Sequence, residues 1–260
     1  MRLFVRTWNV YHGRTVPETR ATHLEEAVRL ITGGDPDVVC LQEVPAWALA
    51  RLEAWAGMTA FGAVTMPALG GRLARPLTEL DPRLLRSALT GQGNAILLSR
   101  RLRVDDHQTL VLNPRSLRRR ERVPLRAHLA WLRNRRVGQF VRVGGQEGSV
   151  VVANLHLTAH SDSRLADREL LRAATYAEDV AEPGEPIVLC GDLNLSPGSS
   201  LALRELEGRG FSPPVRGIDQ ILQRGLAFAR VPEAWPEERR RLGDRFLSDH
   251  APLEAEMIGP

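Results

Sequence analysis

The stretch Ile187-Val188-Leu189-Cys190-Gly191-Asp192-Leu193-Asn194 joins four apolar residues to a carboxylate and an amide two positions apart. A short apolar run bounded by Pro186 and Gly191 predicts a buried strand. Asp192 and Asn194 then leave that strand at its carboxyl end. A buried carboxylate needs a partner, because an unpaired charge is costly to remove from water. The stretch therefore predicts a core strand that delivers polar side chains to a site.

The same arrangement, a polar side chain at the end of an apolar run, recurs along the chain. Further polar residues in or beside such runs are Asn9, Glu43, His156, Asp219, Asp249 and His250. If the strands share a sheet, their ends converge and these residues can satisfy one another around a metal ion.

The residue types in this set favour a hard divalent cation. Glu43 and Asp249 offer anionic oxygen ligands, and Asn9 and Asn194 add neutral amide oxygens. Such donors select Mg²⁺, with Mn²⁺ as the alternative. The sequence has no Cys/His cluster at zinc spacing, which argues against a zinc site. The histidines remain available for proton transfer near neutral pH.

Short apolar runs alternate with helical patterns over the 260 residues, for which we expect one domain spanning 1–260. The pattern predicts strands at 5–8, 37–41, 94–99, 103–112, 140–143, 149–157, 186–190, 218–222, 227–231 and 252–257. It predicts helices at 22–31, 45–54, 165–180 and 200–207, and an elaborated loop at 62–93 with a short helical segment at 82–89. Because several links are short and hairpin-like, a mixed-sheet sandwich covered by helices fits better than a doubly wound sheet.

Composition indicates a soluble globular protein, with 43% apolar and 25% charged residues. No apolar run approaches the ~20 residues of a membrane helix, and the N-terminus reads as a strand rather than a signal peptide. We therefore expect a cytoplasmic protein without membrane association. Cys40 and Cys190 each lie at the end of an apolar run, which is typical of buried reduced thiols. A disulfide between them is the alternative.

Arginine supplies all the basic side chains and gives a net charge of +4. The densest cluster comprises Arg115, Arg118, Arg119, Arg120, Arg122, Arg126, Arg133, Arg135 and Arg136, with Trp131 inside it. One interpretation is a nucleic-acid-binding surface in which Arg119 and Arg122 bind phosphate. The alternatives are a solvated loop and, more weakly, a surface for anionic membranes.

Six motifs, taken together, resemble the endonuclease/exonuclease/phosphatase superfamily (DNase I-like). They are Trp8-Asn9, Leu41-Gln42-Glu43, Asn154-Leu155-His156-Leu157, Gly191-Asp192-Leu193-Asn194, Ile218-Asp219 and Ser248-Asp249-His250. Each motif is weak alone, but all six stand in the family's order across nearly the whole chain. The resemblance implies an α/β fold, a four-layer α/β sandwich of two mixed β-sheets packed face to face with helices outside.

The resemblance also implies a metal centre and a base. Glu43 resembles the family's main Mg²⁺ ligand, with Asn9 and Asp249 near the same ion. His250, paired with Asp219, resembles the residue that activates water or otherwise steadies the phosphate.

The remaining implied roles concern the nucleophile and the phosphate. Asp192 and Asn194 would orient them, and His156 would act as general acid or hold a phosphate oxygen. Asn94 is expected to contact a substrate phosphate. One departure bears on His156: DNase I has a supporting glutamate just before the strand at 94–99, where this chain has Gly93-Asn94.

The expected function is Mg²⁺-dependent hydrolysis of nucleic acid phosphodiesters by a DNA endonuclease or exonuclease. The alternative is a phosphatase or phospholipase C-like enzyme acting on an inositol phosphate, a sphingomyelin-type lipid or another small phosphoester. A non-catalytic binding module is a third, weaker hypothesis, because every expected site residue is present. We expect a monomer whose partner is its nucleic acid substrate.

Overall fold

The structure is a computed structural model that describes residues 1–66, 91–114, 135–145, 148–160 and 162–259. Its strands are β1 (Arg2–Asn9), β2 (Val38–Pro45), β3 (Thr59–Met66), β4 (Gln92–Leu98), β5 (Arg103–Val111), β6 (Val137–Gly145), β7 (Gly148–His156), β8 (Ile187–Asp192), β9 (Asp219–Arg224), β10 (Ala227–Ala234), β11 (Arg241–Leu242), β12 (Arg245–Phe246) and β13 (Leu253–Ile258). Its α-helices are α1 (Leu24–Thr32), α2 (Leu52–Ala56), α3 (Arg164–Val180) and α4 (Leu201–Gly208). None of the helices in these ranges has the length and apolarity needed to cross a bilayer.

The long strands form two mixed sheets. The first has the order β10-β13-β1-β2-β4-β3, and the second has the order β5-β6-β7-β8-β9. Each sheet contains one parallel pair, β1 with β2 and β7 with β8, while its other pairs are antiparallel. Parallel neighbours end at the same edge of a sheet, so each pair brings two strand ends together. The short strands β11 and β12 pair only with each other.

Three apolar clusters separate the layers. The inner cluster lies between the two sheets and is built largely from inward-facing valines such as Val5, Val141, Val152 and Val188. A second cluster packs the apolar face of α1 against the outside of the first sheet. The third packs α3 and α4 against the outside of the second sheet. The resulting order, helix, sheet, sheet, helix, confirms the predicted four-layer α/β sandwich.

Buried amides join the two sheets across the inner layer. Asn154 of β7 donates to the carbonyl oxygens of Leu41 at 3.0 Å and Ala95 at 2.9 Å, both in the first sheet. Its Oδ1 accepts from Gln42 Nε2 at 2.8 Å. Both amide side chains are fully buried. Because a buried polar group without a partner is costly, these bonds fix the position of one sheet relative to the other.

One expectation about local structure differs in its bounds and helix type, and one is wrong. The helix predicted at 45–54 begins as strand, since Pro45 is the last residue of β2; a 3-10 turn (Ala46–Arg51) follows, and α2 begins only at Leu52. Residues 62–66, which were predicted to begin a loop, belong instead to β3, and β3 pairs with β4 along its length. Gly62 and the nearby prolines hid that edge strand. The predicted segment 82–89 lies outside the described residues.

The two cysteines face each other across the inner layer. Cys40 and Cys190 are fully buried free thiols, and Cys190 donates to the sulfur of Cys40 at 3.2 Å. The expectation of buried reduced thiols is confirmed.

Replacing Asn154 by alanine should lower the free energy of unfolding by about 3 kcal/mol. The change leaves the carbonyl oxygens of Leu41 and Ala95 and the amide of Gln42 without their partner, and each buried unsatisfied group costs about 1–3 kcal/mol. Urea unfolding measures the effect. Ser149→Ala, at the half-buried start of the same strand, is the matched control and should change stability by about 0.5 kcal/mol or less. Equal stability of the two variants would contradict the prediction.

Candidate active site

The polar strand ends of the two sheets meet at one end of the sandwich. Asn9 ends β1 in the first sheet, and Asp192 ends β8 in the second. Asn9 Nδ2 donates to Asp192 Oδ2 at 3.0 Å. Both residues are 2% exposed. Residues 183 positions apart in the sequence are thus brought together, as the motifs predicted.

Glu43 reaches this cluster because β2 is irregular at that point. The pairing of β2 with β4 shifts register between Leu41 and Val44, and Glu43 has a φ of 55°. Irregularities of this kind re-aim side chains beside active sites. Glu43 Oε1 lies 3.8 Å from His156 Nε2. Burial raises the pKa of Glu43, although a hydrogen bond from Asn9 acts in the opposite direction.

Asp219 and His250 form a hydrogen-bonded pair beside Asp192. The His250 Nδ1 to Asp219 Oδ2 distance is 2.9 Å. Burial lowers the pKa of His250, but the hydrogen bond and charge of Asp219, followed by the charges of Asp192 and Asp249, outweigh burial and raise it to about 9. The pair expected from the motifs is present, and Asp219 uses His250 rather than a neighbouring arginine.

The segment that carries His250 is tied to β1. Ser248 Oγ donates to the carbonyl oxygen of Asn9 at 2.7 Å and accepts from the backbone nitrogen of His250 at 3.0 Å. Trp8 Nε1 donates to the carbonyl oxygen of His250 at 3.0 Å. These bonds explain why serine and tryptophan accompany the functional residues in their motifs.

The carboxylates crowd together in a way that suits a cation. One ligand atom from each of Asp192, Asp219 and His250 lies within 4.8 Å of the others. Burial, and then the charge of Asp219, raise the pKa of Asp192 to about 6. Asp219 Oδ1 is buried and has no hydrogen-bond partner in the part of the chain that the structure describes. A divalent cation would offset this repulsion.

Oxygen donors dominate the set, which fits Mg²⁺ or Mn²⁺. Glu43, with the amide of Asn9 beside it, could hold the ion on one side of the cluster. Asp249 is exposed next to His250, and its Oδ1 lies 3.4 Å from Ser248 Oγ. The assignment of Asn9, Glu43 and Asp249 as metal ligands stays a prediction.

His156 has a supporting residue that the sequence reasoning missed. Its Nδ1 lies 3.2 Å from Gln92 Nε2, at the first residue of β4. The residue beside His156 Nδ1 is thus an amide, one residue before Gly93-Asn94, rather than a glutamate. Burial, and then the charge of Arg136, lower the pKa of His156 well below its ordinary value. A neutral amide suits a neutral imidazole.

Arg136 is a second residue that the sequence reasoning did not single out. It is 9% exposed, and its Nε is buried with no hydrogen-bond partner among the described residues. Its charge acts on Glu43 and His156, so the guanidinium lies beside the cluster. Its backbone nitrogen donates to Asn113 Oδ1 at 2.9 Å. In the sequence it was one arginine among nine in a cluster, which gave no signal of burial.

Of the four other predicted residues, two lie in the part of the chain that the structure describes. Asn194 has a φ of 51°, lies two residues after Asp192 and donates to the carbonyl oxygen of Leu157 at 3.1 Å. Asn94 is fully buried in β4 and donates to the carbonyl oxygen of Val137 across the sandwich at 3.2 Å. Its predicted substrate contact stays a prediction. Arg119 and Arg122 lie outside the described residues.

Solved structures with the same fold share little sequence with this chain. An endonuclease/exonuclease/phosphatase from Beutenbergia cavernae superposes with a TM-score of 0.68 at 18% identity, covering 99% of this chain and 72% of the other. Truncated TDP2 from Caenorhabditis elegans gives 0.63 at 16%, covering 100% and 98%. The human Nocturnin catalytic domain with bound sulfate gives 0.64 at 17%, covering 99% and 93%.

Comparison of the sequence with family models identifies the family of the chain. No curated protein matches it significantly. The model of the Endonuclease/Exonuclease/phosphatase family matches residues 7–250, which include every motif of the site. The chain therefore belongs to the Endonuclease/Exonuclease/phosphatase family and, with its other members, is a phosphoric ester hydrolase.

Proposed function

We propose that the protein is a Mg²⁺-dependent phosphodiesterase that hydrolyses nucleic acid as a DNA endonuclease or exonuclease. Mn²⁺ is the substitute metal. The observation that carries this proposal is the meeting of Glu43, Asp192 and the Asp219–His250 pair around Asn9. The nucleic acid substrate is supported by the all-arginine basic content and the cluster at 115–136. Arginine matches phosphate oxygens with a planar fork of donors.

The metal would be held by Glu43, with Asn9 and Asp249 near the same ion. When bound, a divalent cation neutralises the charge that grows on the phosphoryl group. The remaining steps belong to the chain's own side chains.

Water attacks phosphorus, and the bond from phosphorus to the leaving oxygen breaks. Asp192 lies where it can orient the water and accept its proton, because its Oδ2 is 3.9 Å from His250 Nε2 and 3.7 Å from His156 Nε2. His250, held by Asp219, steadies a phosphate oxygen. His156, held neutral, donates a hydrogen bond from Nε2 to a second phosphate oxygen. The protonated His250, whose pKa is raised to about 9, supplies the proton that the leaving oxygen takes up. One product keeps the phosphate, and the other carries the released hydroxyl.

A small phosphoester is the second candidate substrate. The buried guanidinium of Arg136 favours any phosphate, whether in a polymer or a head group. The two candidates differ in their response to salt, because several simultaneous phosphate contacts lose affinity steeply as ionic strength rises.

Purified protein should cleave plasmid and linear DNA with Mg²⁺ and lose that activity in EDTA. Cleavage should weaken strongly between about 50 and 200 mM salt if several arginines contact the backbone. A parallel panel contains an inositol phosphate, sphingomyelin vesicles and a small aryl phosphodiester. Preference for one of these, with little salt dependence, would transfer the proposal to the second candidate. No hydrolysis of any of them with Mg²⁺ or Mn²⁺ would contradict both.

Substitution of the central residues should reduce turnover while the fold remains. Glu43→Gln, Asp192→Asn and His250→Gln should each lower kcat by about 10²–10⁴-fold, since each removes a charge or proton carrier at the phosphate. Steady-state rates on the best substrate give the effect, and circular dichroism checks the fold. His107→Gln, in β5 against Phe61, is the control and should retain wild-type kcat. Wild-type turnover in all three site variants would rule out this site.

Arg136→Gln should raise KM by about tenfold, because a charged hydrogen bond to phosphate contributes about 1.5–3 kcal/mol. Arg135→Gln is the matched control, because Arg135 is the exposed neighbour of Arg136 in the sequence. This variant should change KM little. Initial rates over a range of substrate concentrations separate the two. An equal effect of both variants would mean that the sequence cluster, and not the buried guanidinium, holds the phosphate.

A further inference from the structure

Three consecutive residues after β1 adopt a left-handed backbone. Tyr11, His12 and Gly13 have φ values of 47°, 55° and 76°. Left-handed geometry costs non-glycine residues roughly 1–2 kcal/mol each. Such strain persists only where the surroundings enforce it, and it concentrates at functional sites.

The surroundings of this turn do enforce it. Asn9 Oδ1 accepts from the backbone nitrogen of Tyr11 at 3.0 Å, and Gly13 N donates to Val10 O at 2.8 Å. A Cβ at Gly13 would lie 2.5 Å from Thr22 Oγ1, so only glycine fits there. The turn is therefore fixed by its own hydrogen bonds and by the chain packed against it.

The fixed turn places His12 against Glu43. His12 Nε2 lies 3.2 Å from Glu43 Oε2, while the other carboxylate oxygen, Oε1, is 3.8 Å from His156 Nε2. His12 Nδ1 is buried and finds no hydrogen-bond partner among the described residues. A neutral imidazole carries one N–H. Of the two ring nitrogens, Nε2 is the one that lies near a carboxylate oxygen, so the proton of a neutral His12 is best placed there.

We propose that His12 is a positioning residue that donates from Nε2 to Glu43 Oε2 and so holds this carboxylate in the orientation in which it binds the divalent cation. The inference rests on the proposed function, in which Glu43 is the main metal ligand. Neighbours that orient a ligand typically contribute 10–100-fold to metal affinity. His12 is thus part of the metal centre without touching the substrate.

The test is Mn²⁺ binding to the metal-free protein, measured by electron paramagnetic resonance without substrate. His12→Ala and His12→Asn should each weaken the Mn²⁺ Kd by about tenfold or more. Asparagine suits a left-handed backbone but is too short to reach Glu43, so His12→Asn separates lost positioning from lost folding. His12→Gln has the reach and a donor, and should recover part of the affinity. His23→Ala is the control, because His23 makes a comparable contact with Glu26 at 3.3 Å outside the site.

A wild-type Kd in His12→Asn, with unchanged Tm, would overturn the inference and leave the proposed function intact. Failure of the wild-type protein to bind Mn²⁺ would instead overturn both. Weak binding by His12→Asn, partly recovered binding by His12→Gln and normal binding by His23→Ala would support the positioning role.

Discussion

The site depends on one constraint: the two sheets must be held in a single alignment. Asn9 and Glu43 belong to one sheet, and His156 and Asp192 belong to the other. Apolar packing between sheets is non-directional and tolerates sliding. The hydrogen bonds of Asn154 to the opposite strands are directional and do not. The buried amides therefore fix the alignment of the two sheets, which the valine core alone does not fix.

The cluster is also costly to the fold. Burial raises the pKa values of Glu43 and Asp192, and the charge of Asp219 raises that of Asp192 further. Glu43, inside β2, and Asn194, two residues beyond β8, add left-handed backbones. Groups held in unfavourable environments are ready to interact with a cation and a phosphate without rearrangement. The rest of the sandwich stabilises a region that would not persist by itself.

The sequence predicted what depends on local pattern and order. Asp192 and His156 were found because each follows an apolar strand, and the β6–β7 hairpin because two such runs flank a glycine-rich link. Gln92 and Arg136 could not be found in this way. Gln92 lies at the start of β4, where the register with both neighbouring strands shifts near Gly93, and the sequence pattern does not reveal such a shift. Burial of Arg136 depends on tertiary packing, which the arginine-rich sequence around it does not reveal.

The pKa values of His250 and His156 are shifted in opposite directions by their surroundings. His250 lies among carboxylates, which raise its pKa to about 9, whereas burial and Arg136 lower the pKa of His156. Environments that separate the pKa values of like groups divide the acid and base work between them. Gln92 completes this division, because an amide cannot stabilise a cation at His156 as a glutamate would. The amide of Gln92 and the charge of Arg136 therefore act in the same direction: each favours a neutral imidazole at His156.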